Sequence, residues 1–129
     1  MILESLLGLD AATIHGEHDK MGPLLETFVL QELKRQASGQ SDHLSFFHFR
    51  DRDDFDVDIV IERGTEEIAG VEVKAAASVA ERDFRGLRKL KDVAGNRFAC
   101  GVVLYDGEAG IDFGDGLYAV PLRSLWEGS

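Results

Sequence analysis

The feature that most constrains the fold is a pair of short segments that alternate apolar and charged residues. They read FDVDIVIER, from Phe55 to Arg63, and EIAGVEVK, from Glu67 to Lys74. Alternation with a period of two is typical of a β-strand whose two faces have different surroundings. Gly64 follows the first segment, so we expect two neighbouring strands joined by a short turn.

Helical and further strand patterns flank this pair. Pro23 suits the first turn of a helix, and Ser78 with Glu81 three residues later matches a capping box. The predicted elements are a helix over 22–38, a strand over 44–50, the strand pair, a helix over 78–94, strands over 97–105 and 116–120, and a closing helical turn over 121–126. This α-β-β-β-α-β-β order predicts an α/β domain over residues 22–129, with a mixed sheet and flanking helices. Residues 1–21 are expected to be a lead-in segment, a short helix and a loop.

Composition narrows the setting of this domain. The chain has 129 residues, of which 44% are hydrophobic and 29% are charged, and this is enough for one core. Cys100 is the single cysteine, the N-terminus lacks the pattern of a secretory signal, and no apolar run approaches the roughly 20 residues that span a bilayer. We therefore expect a reduced, cytoplasmic protein that is not inserted in a membrane.

Charged side chains on the strand pair are candidates for chemistry. Strict alternation places Asp58 on the face opposite Val57 and Ile59 in the first strand. In the second strand Glu72 and Lys74 share one face, with valines on the other. Pairing of the two strands can therefore bring a carboxylate of each strand together, with an ammonium group beside them.

Such a grouping suits phosphodiester hydrolysis. Asp58 and Glu72 would offer the hard oxygen ligands that Mg²⁺ prefers, and this ion takes few protein carboxylates because it keeps several waters. The metal stabilises charge on a phosphate and lowers the pKa of bound water, while Lys74 orients the nucleophile or stabilises the oxyanion. The same spacing is common on amphipathic strands that face water, and spacing alone favours that simpler interpretation.

Glu26 shifts the balance towards a site. On a helical wheel it lies among Val29, Leu30 and Leu33, inside the apolar arc, where a carboxylate is costly unless it is paired or bound to a metal. Glu32 also falls in this arc and is a candidate accessory site residue, but a long side chain that reaches the rim or a salt bridge is the favoured interpretation.

The predicted helix over 78–94 is a basic region of an acidic chain. The formal net charge is −10, which argues against a broad nucleic-acid footprint because phosphate binding relies on lysine and arginine. Arg82, Arg85 and Lys89 nevertheless form one stripe opposite the apolar face and are candidate phosphate contacts. A solvated polar face is an equal alternative.

The histidines and the cysteine show no comparable pattern. His15, His18, His43 and His48 lack the paired spacing of a zinc site, and Cys100 lies in an apolar segment. We interpret all five as structural or exposed residues.

Several separated segments together resemble a known family. GPLLETFVLQELKRQ, FFHFRDRDDFDVDIVIE, GVEVKAAASV, DFRGLRKL and GVVLYDG follow one another as in a carboxy-terminal domain, the domain of unknown function 4143, which is attached to a group of bacterial and archaeal AAA+ type ATPases. The resemblance covers about residues 3–126. It implies the PD-(D/E)XK nuclease-like fold, whose mixed sheet is of the restriction-endonuclease type.

The resemblance also implies roles for individual residues. By position, Glu26 corresponds to the acid of the first helix, Asp58 to the metal-binding aspartate, and Glu72 with Lys74 to the E-x-K pair. It adds the backbone carbonyl of Val73 as a metal ligand and implies Mg²⁺ or Mn²⁺ as the ion.

Two departures from the family pattern bear on function. Val57 stands where the name-giving proline would be, which is similar to the resolvase-like branch. The ATP-binding motif G-x-x-x-x-G-K-S/T does not occur in this sequence. We therefore expect either a fragment of a longer ATPase or a stand-alone relative, without ATPase activity of its own.

Two functions of different classes follow from these observations. The first is a Mg²⁺-dependent nuclease module that hydrolyses DNA phosphodiester bonds and is normally attached to an AAA+ ATPase. The second is a binding or regulatory module that keeps the fold and the site residues, cleaves weakly or not at all, and docks on an ATPase. The intact motif favours the first function, and the acidic net charge favours the second.

Overall fold

The structure, a computed structural model, describes residues 22–38 and 43–125 and contains a mixed sheet with a helix on each face. The elements are α1 (Gly22–Ala37), β1 (Leu44–Arg50), β2 (Asp56–Arg63), β3 (Glu67–Lys74), a 3-10 helix (Glu81–Phe84) that continues into α2 (Arg85–Ala94), a 3-10 turn (Gly95–Arg97), β4 (Phe98–Tyr105), β5 (Ile111–Gly114), β6 (Leu117–Pro121) and a 3-10 turn (Leu122–Leu125). The predicted lead-in segment and Trp126 lie outside the described residues.

The sheet has six strands in the order β1-β2-β3-β4-β6-β5. β1, β2 and β3 form an antiparallel meander, β3, β4 and β6 run parallel, and β5 pairs antiparallel with β6. The parallel connection from β3 to β4 carries α2, as a crossover between parallel strands requires a long connection. The predicted α/β class with a mixed sheet is therefore confirmed.

Two apolar clusters, one on each face, hold the helices to the sheet. Under α1, the helix residues Leu25, Val29 and Leu33 are fully buried against strand residues that include Ile59 and Val71. Under α2, the buried residues are Val57, Val60, Ile68, Phe84, Leu87, Leu90, Val103, Tyr105, Leu117 and Ala119. The sheet is thus buried on both faces near its centre, which is typical of strands joined by a helical crossover.

Small residues let α2 approach the sheet closely. A Cβ atom added at Gly86 would lie 2.0 Å from the backbone oxygen of Asp56, and one at Gly70 would lie 2.5 Å from a methyl group of Leu87. No larger side chain fits at either point without a shift. The start of α2 is therefore fixed directly against the start of β2.

A β-bulge interrupts the regular alternation of β2. Phe47 pairs with Val60 and Phe49 with Val57, so one residue of β1 faces two residues of β2. As a result Val57 packs under α2, whereas Ile59 packs under α1. The predicted common face for these two residues is wrong, because strict alternation does not allow for the extra residue.

Three other local predictions also need correction. The helical segment after β3 begins at Glu81, and Asp83 rather than Glu81 accepts a hydrogen bond from the backbone N–H of Ala80, at 2.8 Å. β5 was not predicted at all. Leu24 is an apolar residue of the predicted helix over 22–38, so we expect it in the core, but its side chain is 56% exposed. In the described ranges, no helix is long and apolar enough to cross a bilayer.

Candidate functional site

The side chain of Asp58 and that of Glu72 each accept a hydrogen bond from the backbone of the other strand. These bonds lie just beyond the end of the β2–β3 ladder. Glu72 Oε1 accepts a hydrogen bond from the backbone N–H of Asp58 at 2.8 Å, and Asp58 Oδ2 accepts one from the backbone N–H of Val73 at 2.9 Å. The ladder itself begins one residue later, with Ile59 opposite Val71. The N–H groups of Asp58 and Val73 lie outside this ladder, and the two carboxylates serve as their acceptors.

Glu26 of α1 adds a carboxyl group to this pair. Burial is the largest cause that raises its pKa, and the negative charge of Asp58, with which it also forms a hydrogen bond, is the next. The structure therefore brings together the carboxyl groups of Glu26, Asp58 and Glu72.

Two carboxyl groups of this site, those of Asp58 and Glu72, have raised pKa values. Burial is the largest cause that raises the pKa of Glu72, and the charge of the neighbouring Asp58 is the next. Together they raise this pKa to about 8. Burial also raises the pKa of Asp58, although the hydrogen bond from the Val73 N–H opposes this effect. Close like charges in a partly desolvated place disfavour ionisation, so the group holds a proton or requires a cation.

His48 belongs to the surroundings of the carboxyl groups, which its sequence context did not indicate. It lies in β1 beside the bulge, with Nδ1 3.4 Å from the backbone oxygen of Asp58. Its side chain is exposed, as predicted, and its charge lowers the pKa values of Glu26 and Asp58. Only the register of the β1–β2 hairpin could have revealed this proximity, because His48 has no metal-site spacing.

Lys74 lies on the same face of β3 as Glu72, but its ammonium group is bound elsewhere. Lys74 Nζ donates a hydrogen bond to Asp83 Oδ2 at 2.7 Å, and this carboxylate also caps the N–H of Ala80. Burial opposes ionisation of Asp83, yet the bonds from Lys74 and Ala80 hold its pKa below the usual value. Asp83 is thus a site residue that the sequence pattern did not indicate, because the capping-box spacing pointed to Ser78 and Glu81.

An open cleft of about 450 Å³ lies between the turn before β2 and the start of α2. Its walls include Asp53, Asp54, Phe55, Asp56, Glu72, Arg82, Asp83, Arg85 and Gly86. Arg82 and Arg85 are exposed, and neither forms an ion pair with any residue of the described ranges. The guanidinium carbon of Arg85 lies 5.1 Å from the centroid of the Phe55 ring. Two predicted phosphate contacts are therefore present at a cleft that also contains Glu72.

Lys89, the third predicted contact, is engaged differently. Its Nζ lies 3.6 Å from Asp51 Oδ2 and 5.7 Å from the centroid of the Phe55 ring. Lys89 is not among the residues that line the cleft. Its charge is therefore partly compensated within the protein, and it stabilises the turn before β2.

Two of these carboxyl groups, those of Asp58 and Glu72, offer oxygen atoms of the kind that Mg²⁺ takes as ligands. Within residues 22–38 and 43–125, no group of three or more His, Cys, Asp or Glu side chains is arranged to hold a metal. Mg²⁺ commonly takes one or two protein carboxylates and keeps its waters, so Asp58 and Glu72 are the residues that could hold such an ion. Glu32, by contrast, forms a salt bridge with Arg35 at 2.5 Å.

Comparison with known proteins identifies the family to which the chain belongs. The model of a family described as a domain of unknown function (DUF4143) matches residues 21–125, a segment that contains every candidate residue of the site. No curated protein and no solved structure matches significantly. Because the family model covers most of the 129 residues, the chain belongs to the DUF4143 family.

Proposed function

We propose that this domain is a Mg²⁺- or Mn²⁺-dependent nuclease module that hydrolyses DNA phosphodiester bonds. The observation that carries this proposal is the reciprocal bonding of Asp58 and Glu72, with their raised pKa values. Two carboxyl groups kept close together at such an electrostatic cost are most simply explained by a cation that binds between them.

The identity of the fold is a further part of the proposal. A mixed sheet with a helix on each face carries Asp58 on β2 and the Glu72-x-Lys74 pair on β3. This arrangement agrees with the restriction-endonuclease-like architecture that the sequence resemblance implies. We further propose that the domain normally works with an AAA+ ATPase, on the strength of the same resemblance.

Each residue has a definite task in the proposed reaction. Asp58 and Glu72 would hold the ion, with the carbonyl of Val73 as a predicted third ligand. The ion would stabilise charge on the phosphate and lower the pKa of a bound water. Glu26 adds negative charge beside Asp58 and thereby strengthens cation binding, while Lys74 orients the attacking water once its ammonium leaves Asp83.

The contact between Lys74 and Asp83 specifically favours a second candidate function. The ammonium is held at 2.7 Å by Asp83, whereas a cleaving enzyme needs it beside the reacting phosphate. A domain that keeps this contact would bind DNA or an ATPase partner through the same surface without efficient cleavage. The two functions therefore differ in what happens to one side chain when the ligand binds.

A cleavage assay separates the two functions. Purified protein is incubated with supercoiled, linear, single-stranded and branched DNA in Mg²⁺ or Mn²⁺, beside Asp58→Asn and Lys74→Met. Asp92→Asn is the matched control, because Asp92 is an exposed residue of α2 away from the cleft. We expect cleavage by the wild type and by the control, with a loss of at least about 100-fold in the two site variants.

The opposite outcomes are equally clear. Cleavage that survives both Asp58→Asn and Lys74→Met would reject the proposed site. Absence of cleavage on every substrate, together with DNA binding that does not depend on a metal ion, would favour the second function.

A further inference from the structure

The chemistry of the cleft also limits the kind of DNA that it can accept. Its cationic residues without an ion pair to the described part of the chain are Arg82 and Arg85, and the acidic side chains on its walls outnumber them. A duplex ligand is normally held through many phosphates on two strands, and each contact requires a lysine or an arginine. Two arginines can neutralise only about two phosphates by that rule. The cleft is therefore poorly suited to a duplex.

The arrangement of Arg85 points to a different mode of binding. Its guanidinium lies over the ring of Phe55, at 5.1 Å from the centroid, while the arginine side chain remains exposed. A guanidinium supported by an aromatic ring presents a planar outer surface on which a nucleobase can stack. Bases of a duplex already stack on each other and are not free to do so, whereas bases of a single strand are.

Arg82 and Glu72 complete the chemistry along the same cleft. Arg82 is exposed on the cleft wall three residues before Arg85, so it lies on the same side of the helical segment that leads into α2. Glu72 lines the cleft from β3. One strand can thus place a base on Arg85 and a phosphate on Arg82 while the next part of its backbone approaches the carboxyl groups.

We infer that the cleft binds single-stranded DNA, with a nucleobase stacked on Arg85 above Phe55 and a phosphate bound by Arg82. This inference rests on the proposed function, because it names the substrate class of the same site. The inferred binding mode differs from binding by positive charge alone, because it requires the planar guanidinium group of Arg85.

Binding of labelled oligonucleotides to the full chain tests this inference without any cleavage. The ligands are a 12-mer oligothymidine, an abasic strand with the same number of phosphates, and a duplex of the same length. All measurements use the Asp58→Asn background in EDTA, so that neither metal binding nor hydrolysis contributes. Fluorescence anisotropy gives the Kd values.

Arg85→Lys is the decisive variant because it keeps the positive charge and removes the planar group. We expect the single strand to bind at least about tenfold tighter than the duplex, and Arg85→Lys to weaken single-strand binding about tenfold, as loss of one stacked base predicts. Binding of the abasic strand should not change in Arg85→Lys. Arg82→Gln should weaken the single strand and the abasic strand equally.

Arg52→Lys is the matched control, since Arg52 is an exposed arginine of the neighbouring turn that does not line the cleft. Unchanged thermal unfolding midpoints exclude misfolding of the variants. Equal or tighter binding of the duplex, unchanged single-strand binding in Arg85→Lys, or no binding of the single strand would each overturn the inference. Since no arm measures hydrolysis, a failed cleavage assay with intact single-strand binding would reject the nuclease activity alone.

Discussion

Glu72 is the residue that connects most parts of the site. It bonds the backbone of β2, it lines the cleft, and its pKa is raised to about 8 by burial and by Asp58. A carboxylic acid whose pKa rises on folding binds more protons in the folded state than in the unfolded state. Its effect on stability is therefore favourable at low pH and is lost as pH rises from about the ordinary value of 4.5 through about 8.

Replacement of Glu72 by glutamine should stabilise the metal-free protein. Glutamine keeps the acceptor for the Asp58 N–H and has no ionisable group, so the cost of keeping a proton on Glu72 disappears. At pH 7–8 in EDTA we expect the free energy of unfolding of Glu72→Gln to exceed that of the wild type by about 1–3 kcal/mol, with little difference near pH 4. Urea unfolding at a series of pH values measures this difference.

Glu66→Gln is the control for this measurement, because Glu66 is an exposed residue of the turn between β2 and β3. Its unfolding free energy should follow the wild-type pH dependence. A Glu72→Gln variant that is less stable than the wild type at pH 8 would mean that Glu72 is ionised and favourably paired in the folded protein.

At the scale of elements, the site lies where β2 is bulged and where the start of α2 contacts the sheet closely. The Asp58 N–H lies beyond the end of the β2–β3 ladder and donates to Glu72, and Gly86 allows the start of α2 to lie against Asp56. Arg82 and Arg85 thereby come to the cleft wall. The site is thus a product of two irregular contacts on an otherwise regular sheet.

Gly86→Ala tests the importance of the close contact between the start of α2 and Asp56. The new Cβ would meet the backbone oxygen of Asp56 at 2.0 Å, and neither helix nor strand can move without disturbing the cluster under α2. We expect a loss of about 2 kcal/mol or more in unfolding free energy, at the upper part of the usual range for overpacked sites. Val93→Ala, on the same helix at a side chain 63% exposed, should change it by less than about 0.5 kcal/mol. Equal stability of Gly86→Ala and the wild type would contradict the close contact between Gly86 and the backbone of Asp56.

Regular elements could be predicted from the sequence, whereas the irregular contacts could not. The periodicity of residues 44–50 and 67–74 gave the bounds of β1 and β3 correctly. β5 was missed because a four-residue edge strand beside turn residues has no recognisable alternation. The bulge at Asp58 depends on the pairing of β1 with β2, and the contact of Lys74 with Asp83 depends on the path of the chain after β3. Neither is encoded in a local pattern.

At the scale of the whole molecule, a net charge of −10 sets the conditions under which the site can work. Such a charge attracts divalent cations and repels polyanions, so cation binding at Asp58 and Glu72 should precede binding of DNA. It also makes a broad duplex footprint unfavourable, which agrees with a cleft that offers two arginines, Arg82 and Arg85, as phosphate contacts. The central claim is therefore that the carboxyl pair is a cation site.

Calorimetric titration of the full chain with Mn²⁺ near pH 7 tests this claim most directly. We expect one site per chain and release of about one proton, because a pKa of Glu72 raised to about 8 favours its protonated form at this pH and the group must ionise to bind the ion. Titrations in buffers of different ionisation enthalpy give the proton count. Asp58→Asn should weaken binding at least about 100-fold, whereas Asp92→Asn should not. Absence of binding by the wild type, or equal affinity in Asp58→Asn, would contradict the account.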